Sequence, residues 1–335
     1  MKKLIFFSLL SLAWIFSLSE ASAQSLEYKV LKTILVDGSG FWDYLTVDKP
    51  SRQLFLSHGT VVDVLDLRSE RKAGQIPNTP GVHGIALVHE LNKGFITAGR
   101  IDSVIVFNLN TLEVMDKIPS GKKPDAIIYD PFSKRVFSFN GTGHSITAID
   151  AGSNNVLGTI ELSGKPEYAV SDGKGNMFCN IEDQSTVVKF NPLTLKVEAE
   201  WPLTPGEAPT GLAIDLKNNR LFSACSESRQ LVVIDAANGQ VIATLPIGEG
   251  CDGVIFVPHD QDVITSNGEG TLTIIHQNSS NDYKVIKTLA TRKNARTITY
   301  DEAAGKIYLP FADVKTENGK RSIVPGSFGI VVVGK

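Results

Sequence analysis

Cysteine is scarce in this chain. Cys179, Cys225 and Cys251 are the three among 335 residues, and none stands in CxxC spacing. That removes a paired-cysteine metal knuckle. An odd count also leaves at least one thiol unpaired in an oxidising compartment, so the three are expected as small buried hydrophobes. Charge is sparse too, at 21% of residues. No long stretch places apolar residues at i, i+3, i+4 and i+7, which excludes a helical architecture. Neither a GxSxG elbow nor an HExxH segment occurs, so two common hydrolase signatures are missing. The glycine-rich segment Asn140-Gly141-Thr142-Gly143 lacks the lysine and following helix that phosphate cradling needs.

What is present is glycine, at 29 residues, and short apolar runs separated by turns. Both fit a strand-and-turn protein. The first residues stand apart. Lys2 and Lys3 precede an apolar run from Leu4 to Leu18, and Ala21-Ser22-Ala23 follows it. That order reads as a secretory signal cleaved after Ala23, giving a mature domain over 24–335 with no membrane span, in the periplasm or secreted. Removing the leader's Lys2, Lys3 and Glu20 takes 33 basic and 36 acidic residues to 31 and 35, a net charge of −4. Such a balance argues against nucleic acid as a partner.

Self-similarity decides the fold. Seven units open on a polar residue followed by an apolar strand: Asp43, His83, Asp125, Glu167, Thr210, Asp252 and Arg296. Successive spacings are 40, 42, 42, 43, 42 and 44 residues. Four short strands with tight turns need about that length. The second strands carry an aromatic, at Phe55, Phe95, Phe137, Phe178 and Phe222. The last unit ends on FGIVVVGK, its third strand, and YKVLKTILV from Tyr28 resembles the fourth strand that begins at Tyr283. The expected fold is all-β: a seven-bladed propeller, a monomer, whose N-terminal strand completes the last blade.

The units resemble those of YVTN-type seven-bladed propellers, the group that includes YncE-like periplasmic proteins. Lys123-Pro124-Asp125, Lys165-Pro166-Glu167, Ala208-Pro209-Thr210 and the strand endings Val106-Phe107-Asn108 and Val233-Ile234-Asp235 carry the likeness. It implies a fold more than a function, because one propeller architecture serves many roles.

In a propeller the first strand of every blade lines the central channel, so the seven opening residues ring one mouth. Asp43, Asp125, Glu167 and Asp252 gathered there repel one another, and a bound cation would relieve the repulsion. With His83 they form the candidate metal set, and a divalent ion is the candidate cofactor. A second tier is expected at the ends of the second strands, pairing His58 with Asp43, Asn140 with Asp125 and Asn267 with Asp252; Arg296 adds a fixed positive charge. The leading expectation is a small-molecule or protein ligand, or a cation, bound at the mouth. The alternative is a metal-dependent lyase or hydrolase at the same place, with His83 or His58 as general base.

Overall fold

The computed structural model describes residues 27–38, 40–317 and 319–335. The expected leader lies outside the described residues. Strands account for nearly all regular structure, joined by three single-turn 3-10 segments. No helix among the described residues is long and apolar enough to cross a membrane.

Seven four-stranded antiparallel sheets form the blades. Their innermost strands are Trp42–Asp48, Val82–Val88, Pro124–Asp130, Pro166–Ser171, Pro209–Asp215, Cys251–Val257 and Thr299–Asp301. Each of the first six is the edge strand of a sheet whose members follow in chain order. The seventh differs. Its outermost strand is Lys29–Leu35, which pairs antiparallel with Gly329–Gly334, from Lys29 opposite Gly334 to Leu35 opposite Gly329. The two ends of the described chain are therefore held in one sheet, and the ring has no open blade edge between its first and last members.

Packing between blades follows from the aromatic in each second strand. Phe55, Phe95, Phe137, Phe178 and Phe222 are all fully or almost fully buried. Phe55 meets Phe107 of the next blade at 5.7 Å, and Phe137 meets Phe190 at the same distance. Strands that pack on both faces read as continuous apolar runs, as Val104–Phe107 and Leu231–Ile234 do.

Hydroxyl and amide side chains also tie blade to blade. Thr97 Oγ1 donates to the Asp125 carbonyl, Asn180 Nδ2 to the Thr210 carbonyl at 3.1 Å and Thr297 Oγ1 to the Asp43 carbonyl at 2.7 Å. Each acceptor is the backbone of an opening residue in the following blade, the first blade following the seventh. The ties thus fix the residues that ring the mouth.

One element has no counterpart in the repeat. Within the seventh blade, Val314–Glu317 and Lys320–Ile323 form a separate two-stranded hairpin between the second and third strands. It rises on the mouth side, where Arg321 joins Phe41, Trp42, Asn294 and Arg296 around a small pocket.

Candidate functional site at the channel mouth

The opening residue is the second residue of the innermost strand in blades one to six. There the pairing with the second strand slips in every case, for example between Trp42 and Leu45 and between Pro124 and Ile127. A β-bulge re-aims a side chain that a regular ladder would hold along the sheet face. The repeated slip accounts for how one strand position supplies the mouth in successive blades.

Asp43, His83 and Asp125 come together. Each offers a ligand atom, and these atoms lie within 4.8 Å of one another. His83 Nδ1 is 2.6 Å from Asp43 Oδ2 and 3.5 Å from Asp125 Oδ1. Asp252 is paired with Arg296, whose Nη2 also stands 3.8 Å from Asp43 Oδ1. Glu167 is held by Lys165 at 2.6 Å, and Lys165 reaches Glu182 as well. Thr210 is spent on the backbone, donating to the Cys251 carbonyl at 2.8 Å.

The four carboxylates are thus met from within by three bases: His83, Lys165 and Arg296. The mutual repulsion expected from sequence persists only in part. Burial, then the nearby Asp43 charge, raises the Asp125 carboxyl to about 6. Burial and the charges of Asp125 and Asp252 also raise Glu167, and burial raises Asp252 against the pull of Arg296. For His83, burial opposes the imidazolium, but the hydrogen bond to Asp43 and the charge of Asp125 outweigh it and raise the pKa.

The second tier is placed elsewhere. His58, Asn140 and Asn267 are buried and turn into their own blades. Asn140 Nδ2 donates to Ser145 Oγ at 3.1 Å and Thr147 Oγ1 at 3.0 Å, while its Oδ1 accepts from Ser120 Oγ at 2.8 Å. Asn267 Nδ2 donates to Thr271 Oγ1 and Thr273 Oγ1, both at 3.0 Å. His58 occupies the same place in the first blade, and its Nδ1 bonds Asp63 Oδ2 at 2.9 Å. In all three blades the last residue of the second strand bonds the third residue of the third strand. The pairings of Asp43 with His58, Asp125 with Asn140 and Asp252 with Asn267 therefore do not form. A polar side chain at the end of that strand finds its partner inside the sheet rather than facing the channel, with only His58 Nε2 left without one among the described residues.

Two features escaped the sequence reading. Lys165 stands two residues before the opening residue Glu167 and returns over it; its place in Lys165-Pro166-Glu167, which repeats Lys123-Pro124-Asp125, was the available signal. Tyr44 and Tyr168 follow opening residues and meet with ring centroids 5.3 Å apart, from the first and fourth blades. They narrow the channel beneath the carboxylates, which together with burial hold the Tyr44 hydroxyl well above its ordinary pKa. A chamber of about 360 Å³ lies on their far side, with Ile85, Leu87, Ile127, Val254 and Ile298 in its wall.

Above the ring opens a pocket of about 570 Å³. His83, Asp43 and Arg296 form part of its lining, with Phe41 and Trp42 on one side and Arg100 and Lys123 on another. His83 spends Nδ1 on Asp43, and Nε2 makes no hydrogen bond among the described residues.

No family model matches the chain. Among curated proteins it is similar to several called YncE, themselves described as uncharacterised. Identity is 25% over 166 residues with those of Salmonella typhi and Salmonella typhimurium, and 26% over 166 residues with that of Escherichia coli O157:H7. The match covers 46% of this chain and 44% of each relative, so less than half of their length is spanned. Partial similarity and the seven-bladed ring point the same way: the chain is a seven-bladed β-propeller that resembles the YncE proteins over part of its length.

Proposed function

We propose that this chain is an exported binding protein that holds a small ligand at the mouth of its channel, against His83. Export rests on the basic, apolar and small-residue order of residues 2–23. Binding rests on one observation above all. His83 is clamped by Asp43 and Asp125, yet lines a pocket of about 570 Å³ with Nε2 free to donate. A charged donor whose orientation is fixed by two carboxylates is prepaid, so a ligand gains its hydrogen bond without ordering the side chain.

Thermal melting of the mature protein against a library of small polar metabolites tests this. A ligand at about 100 times its Kd adds roughly 2.7 kcal/mol of stability. At least one compound is expected to raise Tm by several degrees, with the shift lost in His83→Gln. Shifts that persist in that variant, or none across the library, contradict the proposal.

A second reading has its own support in the closeness of Asp43, His83 and Asp125. Two carboxylate oxygens and an imidazole nitrogen suit a divalent ion, and a bound ion would supply Lewis acidity for a lyase or hydrolase. His83 would first surrender the proton that its carboxylates stabilise. Elemental analysis of protein purified from its own compartment separates the two readings, since only the second requires a stoichiometric metal.

A further inference from the structure

The mouth was expected from sequence to attract cations, because its opening residues are mostly acidic. The charge that a ligand meets is the reverse. Five basic side chains line the upper pocket, His83, Arg100, Lys122, Lys123 and Arg296, against the acids Asp43 and Asp102. Asp102 is taken by the Lys122 side chain at 2.7 Å and the Lys123 amide at 2.8 Å. Asp43 is taken by His83. Arg100 and Lys123 remain, both exposed, and neither side chain has a salt bridge or hydrogen bond among the described residues. The carboxylate ring lies beneath them, its four acids met in large part by His83, Lys165 and Arg296.

Shape narrows the class further. Phe41 is 52% exposed at the pocket wall, where a flat ligand can reach its ring. Trp42 lies beside it, buried, with its indole Nε1 lacking an acceptor among the described residues. Gly81 leaves room for Arg100: a Cβ there would stand 2.6 Å from Arg100 Cγ, on a backbone of φ +69° that disfavours other residues.

We propose that the mouth pocket selects a small carboxylate with a flat apolar body, the carboxylate held by Arg100 and Lys123 and the body laid against Phe41 and Trp42. This rests on the mouth being the ligand site. The planar guanidinium fork matches a carboxylate through two parallel hydrogen bonds, and the lysine adds a point charge.

Calorimetric titration of the mature protein with benzoate, benzylammonium and benzyl alcohol tests the class at constant shape. Benzoate is expected to bind at least tenfold more tightly than either of the others, and more weakly as salt rises. Arg100→Gln combined with Lys123→Gln is expected to cost at least tenfold in benzoate affinity while the melting curve stays in place, both side chains being exposed. Benzylammonium binding as well as benzoate, or a double variant with full benzoate affinity, overturns the inference. Should benzyl alcohol or benzylammonium bind and His83→Gln abolish it, the mouth remains a ligand site and the carboxylate class alone is wrong. If none of the three binds, the carboxylate class falls, while the library melting still judges the mouth itself.

Discussion

Deleting residues 27–36 is expected to make the protein aggregate. The strand Lys29–Leu35 is mostly exposed, so its own side chains contribute little burial. Its role is to cover the strand Gly329–Gly334, whose sequence GIVVVG is wholly buried. Without it, a row of unpaired backbone groups flanked by β-branched residues becomes an edge, the template for pairing with another copy. The deletion also removes Tyr28, which donates to Asp260 at 2.8 Å and sits under the Lys335 ammonium at 4.5 Å. Size-exclusion chromatography and soluble yield provide the check. A deletion variant that stays monomeric with the wild-type melting temperature would show that the seventh blade stands on three strands.

The second large effect is expected inside the first blade. Asp63 is fully buried and accepts from His58 at 2.9 Å and Gln75 at 2.8 Å, with the Lys72 ammonium at 2.6 Å. Burial alone would raise its carboxyl. The bonds from His58, Lys72 and Gln75 outweigh that and hold it below the ordinary range. Asp63→Ala strands the Nδ1 of a buried imidazole, and leaving such a buried hydrogen-bonding group without its partner costs about 1–3 kcal/mol. Lys72 is half-exposed and rehydrates, so the lower end of that range applies. The third and sixth blades suggest a remedy, because there an asparagine and a threonine fill the same two positions. His58→Asn with Asp63→Thr is expected to recover a large part of the loss, short of the full amount because the smaller asparagine leaves space beside Phe328, now 4.0 Å from the imidazole centroid. Urea midpoints of the three proteins decide it. Equal midpoints for wild type and Asp63→Ala would contradict a stabilising role for the pair.

That comparison also shows where reading from sequence reaches its end. The blade count and the opening residues follow from a period near 42 residues, because every blade must repeat the same four strands. Closure by the N-terminal segment follows from its likeness to the strand beginning at Tyr283. The fate of the second-strand ends does not follow. Asn140 and Asn267 have hydroxyl partners four to seven residues away, visible in sequence only once the register of the third strand is known. His58 at that position looks like a ligand by residue type and is an interior hydrogen-bonding group by geometry. The counterion of Glu167 was hidden for a related reason. His83 and Arg296 were legible as opening residues among the carboxylates, whereas Lys165 arrives from outside the repeat position, one residue before its strand.

The central claim is that the channel mouth carries its own countercharges, with His83 as a clamped cation between Asp43 and Asp125. Because its folded pKa is raised, the stabilisation it contributes is present in full below the unfolded value near 6.5 and is lost as pH climbs through the folded value. A proton NMR titration of the His83 ring, assigned by comparison with His83→Gln, reads this directly. The account predicts a midpoint above 6.5 that drops in Asp43→Asn; a midpoint at or below 6.5, unmoved by that substitution, would contradict it.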